Sequence, residues 1–287
     1  MRFSAATTAE RLLPERLASA VQPWLSRADA LFLAADERGE AGRMSVIAFA
    51  IRIVNAAIAF ISQVLLARWM GSFEYGIFVL VWVTMVIVGN LACFGFHTSV
   101  IRFIPEYRER SMWAELRGIL FASRVFTLLS STAVAGLGMA GLWWFSPMLE
   151  NYYVVPFYLG LICLPMITLS DTLQGISRAN AWALSALSPT YLVRPILILV
   201  FMAGALALDF PPEAKTAIAA AILATYTTTL WQLVTVSSRA DRRAEPGPRR
   251  YLPRAWIAVS MPIFLVEGFF FLLTNADVLM VGRFMAP

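Results

Sequence analysis

The sequence predicts an all-α polytopic membrane protein with about seven transmembrane helices, and three observations predict it. Hydrophobic residues make up 59% of the chain against 14% charged ones, with a mean hydropathy of +0.70, a balance beyond that of water-soluble domains. Apolar segments recur near 45–67, 77–96, 118–145, 154–176, 188–208, 215–236 and 256–282. Each approaches or exceeds the ~20 residues that cross a ~30 Å hydrocarbon layer at ~1.5 Å per residue. The arginines fall almost entirely into alternate connections, and no strand alternation is visible.

Residues 1–44 carry no cleavable-signal pattern, because no continuous apolar stretch follows Arg2. Trp24, Ala28, Leu31, Phe32 and Ala35 share one helical face with Arg27, Asp29 and Asp36 off it. That pattern fits either a helix lying on the membrane surface or a mixed-charge disordered tail.

The first two segments form a hairpin around Arg68-Trp69-Met70-Gly71-Ser72-Phe73-Glu74-Tyr75-Gly76, and Ile101-Arg102-Phe103-Ile104-Pro105-Glu106-Tyr107 follows the second. Leu66-Ala67-Arg68-Trp69-Met70-Gly71, Phe73 to Phe78, Phe94-Gly95-Phe96 and Val100 to Ile104, in that order, resemble the first two helices of the polysaccharide transporters. These are the Wzx-type lipid-linked oligosaccharide flippases of the multidrug/oligosaccharidyl-lipid/polysaccharide exporter superfamily. The resemblance runs through the later segments by number and spacing, over roughly residues 44–287.

The later segments contain Pro156, Pro165, Pro195 and Pro262, which membrane helices tolerate when neighbours satisfy the freed carbonyls. Thr132, Gly136 and Ala140 stack four residues apart on the third segment, a small-residue face expected to pack closely. Cys93 and Cys163 lie inside apolar runs and read as small core residues, with neither a disulfide nor a metal site indicated. His97, the single histidine, reads as an interfacial polar residue, and no cofactor is expected.

Eighteen arginines precede the first helix or follow the second, fourth and sixth, Arg178 and Arg194 among them, against Arg68, Lys215 and Arg283 on the other side. The asymmetry places the N terminus and the even-numbered connections in the cytoplasm of an inner-membrane protein, and it accounts for the net charge of +5 without a nucleic-acid partner. The external connections, near 68–76, 146–153 and 209–214, are too short for a catalytic domain.

A shift of 215 residues lays Arg68 on Arg283, Ser45 on Ser260, Phe49 on Phe264 and Arg52 on Glu267. Six helices intervene, so helices one and seven cross in the same direction, as a parallel repeat requires. The expected organisation is a cytoplasmic tail (1–44), a six-helix lobe (45–238), a basic connection (239–255) and the first helix of a second, pseudo-symmetric lobe (256–287). It implies either an N-terminal fragment or a seven-helix form that pairs with another chain.

Charges at membrane depth cost at least ~2.5–3.5 kcal/mol and should face protein, water or a partner. Arg52, Arg124, Asp171 and Glu267 qualify. Arg124 and Asp171 sit at matching depth on antiparallel helices and are expected to pair, for packing alone or as part of a site. Arg52 either lines a cavity or snorkels to the interface. The resemblance implies two lobes rocking about a central cavity to carry the diphosphate-sugar head of a lipid-linked oligosaccharide across the membrane, with its tail left among membrane lipid and glycan polymerase or other assembly proteins as partners. In that cavity Arg52 would hold the diphosphate, Asn55 would contact sugar or serve polar packing, Arg124 would assist, and Glu267 with Asp171 would bind the coupling proton or cation. The rivals are a multidrug or cation antiporter, which needs acidic and aromatic cavity residues, a membrane-embedded glycan-assembly enzyme, and a partner protein that transports nothing.

Overall fold

The computed structural model describes residues 37–145, 150–276 and 280. The surface-helix expectation at Trp24 to Ala35 and the Arg283 end of the repeat lie outside them. The chain divides into two compact units, Met1–Ile53 and Val54–Pro287. The described part of the first is the start of helix α1; every other element belongs to the second.

The protein is an all-α polytopic membrane protein, with no strand among the described residues. Helix α1 runs Glu37–Ala92, α2 Phe96–Glu109, α3 Trp113–Phe145, α4 Asn151–Ala179 and α5 Ala183–Ser188. A π-helical turn at Pro189–Val193 joins α5 to α6 (Arg194–Ala207); α7 (Ala214–Asp241) and α8 (Pro253–Thr274) follow.

The apolar stretch Ile51–Ala92 of α1 has 42 residues. As one straight helix it would measure about 63 Å, twice the hydrocarbon thickness. It breaks at Gly71, where φ is 79° and ψ 167°, a backbone region essentially closed to residues with a Cβ. The expected nine-residue turn is thus a single-residue break with helix on both sides; with α1 counted once, six helices are long and apolar enough to cross a membrane among the described residues. Glu74, just past the break, accepts a hydrogen bond at Oε2 from the Ala214 backbone N–H (2.7 Å), capping α7 with a carboxylate where the helix dipole favours one.

The second arm stops at Ala92 rather than residue 96. A turn with Phe94 (φ 47°) and Gly95 (φ 72°) in left-handed conformations redirects the chain into α2. A Cβ at Gly95 would meet the Ser260 carbonyl, so α8 packs directly on this turn.

Half of the α4 span and half of the α7 span are buried, against 17% of α3 and 11% of α8, which makes α4 and α7 the central helices. One apolar core gathers Ile77, Val81 and Met85 of α1 with Leu164, Met202 and Ala221; a second gathers Val100 and Ile104 of α2 with Ile119, Leu173 and Trp256. Exposed Leu129, Leu137, Val200, Phe269 and Leu273 form the lipid-facing surface. Buried Ser131, Thr168 and Thr172 satisfy their hydroxyls on carbonyls one turn back.

The small-residue face of α3 is a correction. Thr132, Gly136 and Ala140 are exposed, and a Cβ at Gly136 would touch nothing among the described residues. The packed face is the adjacent stripe, with Ser131 and Ala135 buried and Gly138 against Leu161. Small residues permit close approach but do not say which stripe meets a neighbour. Cys93 and Cys163 are buried and unpaired, as expected of core residues.

Candidate functional site

Stripes from both arms of α1, α2, α4, the π turn with α6, and α8 wall a cavity of about 660 Å³. Ala59, Ser62, Gln63 and Leu66 come from the first arm of α1; Tyr75, Phe78, Val79, Trp82, Val86 and Asn90 from the second. Ile167, Asp171, Gln174 and Arg178 recur at helical spacing on α4, so all four project from one face. Thr190, Tyr191, Arg194 and Ile198 come from the π turn and α6, and Glu267, Phe270 and Phe271 from α8. The volume lies within the usual range for small-ligand sites.

The charged groups gather amid these apolar walls. Glu267 Oε1 accepts a hydrogen bond from Thr98 Oγ1 (2.7 Å), and Oε2 lies 3.0 Å from His97 Nε2. Two consecutive residues at the start of α2 therefore hold one carboxylate of α8. The interfacial reading of His97 is corrected: the turn at 93–95 carries the ring into the cavity wall. Its backbone is seated by Gly175 of α4, where a Cβ would collide with the His97 carbonyl. His97 Nδ1 is buried without a partner among the described residues, and Nε2 also lies 3.5 Å from Asn90 Nδ2.

Arg194 is only 5% exposed. Its Nη2 donates to Ser170 Oγ (2.9 Å), which donates to Gln232 Oε1 (3.1 Å), whose Nε2 donates to the Ser185 carbonyl (3.3 Å). Its Nε is buried with no acceptor among the described residues. The local sequence explains the placement. Pro195 has no N–H to give to the preceding turn, and the Arg194 N–H reaches back five residues to the Pro189 carbonyl. The resulting π turn is a feature that recurs at functional sites. Arg194 is thus inside a span, not in a cytoplasmic connection, and Arg178 faces the cavity from the end of α4.

Asp171 lines the cavity, with His97, Arg194 and Arg178 as its electrostatic neighbours. The expected Arg124–Asp171 pair does not form. Arg124 Nη2 instead bonds Asp241 Oδ1 of α7 (3.1 Å) and its Nε donates to the Leu120 carbonyl (2.6 Å). Arg124 of α3 matches Asp171 in depth, but its side chain points to the end of α7 instead. Asn55 is half-buried one turn before Ala59, on the stripe that lines the cavity. Arg52 is exposed and belongs to the first unit, while every lining residue belongs to the second.

A model of the polysaccharide biosynthesis protein family matches residues 42–287. The chain belongs to that family. No curated protein and no solved structure matches it. This polysaccharide biosynthesis protein brings Asp171 and Glu267 to one cavity, together with His97, Arg178 and Arg194. The signal for Arg178 was present in its spacing from Ile167, Asp171 and Gln174; that for Arg194 was the Pro189 and Pro195 pair around it.

Proposed function

We propose that this protein flips a polyprenyl-diphosphate-linked oligosaccharide across the cytoplasmic membrane by alternating access, in capsule, exopolysaccharide or O-antigen biosynthesis, with no covalent chemistry of its own. Its N terminus lies in the cytoplasm, on the arginine-rich side. The observation that carries this reading is Arg194: a guanidinium buried at membrane depth, lining the cavity, with one N–H still lacking an acceptor. A diphosphate oxygen is the acceptor that such a group holds most strongly. Arg178 adds a second cation, Gln63, Gln174 and Asn90 offer bonds to sugar hydroxyls, and the aromatic rings of Phe78 and Trp82 give sugars a face to stack on. Asn55 continues the α1 stripe.

Asp171 and Glu267 oppose an anion unless neutralised. Their place beside the cations therefore supports proton or cation coupling: occupancy by H⁺ or a metal cation favours headgroup entry, and its loss favours release.

The test is flipping of a fluorescent polyprenyl-diphosphate oligosaccharide in proteoliposomes holding the full chain. Arg194→Gln and Arg178→Gln are each expected to lower the rate at least tenfold, as loss of one charge-assisted bond of about 1.5–3 kcal/mol implies. Wild-type rates in both variants overturn the reading.

A second reading has an observation in its favour. Asp171 and Glu267 stand among Tyr75, Trp82, Tyr191 and Phe270, the acidic and aromatic lining that an organic-cation antiporter uses. Uptake of a lipophilic cation by the same proteoliposomes, abolished in Asp171→Asn and intact in Arg194→Gln, would favour it.

A further inference from the structure

A second cationic site lies outside the cavity, at the arginine-rich end of the bundle. The last turn of α4 closes through Ala181 N–H to the Arg178 carbonyl and Trp182 N–H to the Ser177 carbonyl (both 3.0 Å), which lays Trp182 across the helix end. Its indole is 7% exposed, and Nε1 has no acceptor among the described residues, so packing holds the ring in place. Over that ring sit two guanidinium groups from the end of α7, Arg239 at 4.3 Å and Arg243 at 4.9 Å from its centre. A third belongs to Arg108 of α2, whose Nη2 donates to Asn180 Oδ1 (2.6 Å), two residues from the indole. Burial, and then the charge of Arg243, lower the Arg108 pKa from its ordinary value, so the cations are close enough to repel.

None of the three has an ion-pair partner among the described residues. Three carboxylates of these helices pair with other arginines: Glu106 with Arg102 and Arg110, Asp241 with Arg124, and Glu115 with Arg250. Three guanidiniums on neutral supports, an indole and an amide, two of them close enough to repel, form a site that lacks its anion.

We propose that Arg108, Arg239 and Arg243, set around Trp182, bind the phosphate of an anionic membrane phospholipid. The site's position favours a membrane lipid over the transported cargo, since none of the four residues lines the cavity. A tryptophan at a helix end marks the headgroup level, and anionic headgroups supply the phosphate at high local density there. Bound phosphate ties α2, the α4–α5 turn and the end of α7 together, so the lipid stabilises the fold.

The test compares the full chain in nanodiscs of phosphatidylcholine with and without phosphatidylglycerol, reading the thermal unfolding midpoint and, by native mass spectrometry, the lipid retained. Phosphatidylglycerol is expected to raise the wild-type midpoint, and removing either Arg239 or Arg243 should weaken its retention about fivefold. The double variant R239Q/R243Q should lose at least half of the midpoint rise. The exposed pair R242Q/R254Q changes the net charge equally and should keep it. R239K/R243K, which preserves charge but not the planar stack, should fall between. The proposal is overturned if R239Q/R243Q keeps the full rise, if R242Q/R254Q loses as much, or if inorganic phosphate alone reproduces the effect.

Discussion

His97 of α2 and Glu267 of α8 meet at 3.0 Å inside the cavity, and Thr98 binds the other carboxylate oxygen at 2.7 Å. The contact joins the start of α2 to α8, two positions 170 residues apart in the chain. A polar contact to a carboxylate at this distance is worth about 1–2 kcal/mol where the carboxylate is partly exposed. A double-mutant cycle of His97→Ala and Glu267→Gln, read by thermal unfolding in detergent, should return a coupling in that range. Strict additivity would mean that the two side chains do not interact.

Glu74 and Ala214 define a second long-range tie, which serves stability rather than the cavity. Glu74→Ala removes both the acceptor and the negative charge from the start of α7 and should cost about 1–2 kcal/mol. Glu74→Gln keeps an oxygen acceptor and should cost about half as much. Equal losses in the two variants would mean that the charge contributes nothing there.

How much of this was legible in the sequence follows from what each side chain responds to. Apolar length reports which stretches form long helices, which is why the predicted segments fall on the candidate spans. Depth along a helix is likewise legible, and it brought Asp171 and Glu267 forward as site candidates. Azimuth is not. Arg124 and Asp171 match in depth, yet Arg124 bonds Asp241, because pairing depends on which stripe of α3 faces α7. His97 was misplaced for a different reason. Hydropathy runs smoothly through residue 96, so only the left-handed pair Phe94 and Gly95 reveals that the chain has already turned. Arg194 counts among the arginines after the fourth helix although it lies within the apolar segment 188–208, and the π turn shows it inside the helical span.

Ala181 offers a stabilising substitution. It holds φ at 57°, the left-handed position of the α4 end motif that glycine usually occupies. An L-residue there carries about 1 kcal/mol of strain, partly offset in Ala181→Gly by the greater freedom of glycine when unfolded. The variant should gain about 0.5–1 kcal/mol in unfolding measurements. A loss would show that the turn at Trp182 depends on the alanine methyl.

Gly175 tests how tightly the cavity positions its histidine. Its missing Cβ makes room for the His97 backbone, so Gly175→Ala must push α2 and α4 apart or rotate His97 away from Glu267. Overpacking of this kind costs about 1–3 kcal/mol. The cost should shrink in a Glu267→Gln background, where displacement of His97 loses less. An unchanged cost in that background would place the strain in backbone packing alone.

Gly71 separates backbone strain from crowding. The break in α1 sets φ at 79° and ψ at 167°, and a Cβ added there would touch no described atom. The penalty of substitution is therefore conformational, about 1–3 kcal/mol for any residue that bears a Cβ. Gly71→Ala and Gly71→Val should destabilise the protein by similar amounts in thermal unfolding, because space is open to both. If valine costs far more than alanine, the position is crowded. If neither costs anything, the fold does not need this backbone geometry to pass from the first crossing to the second.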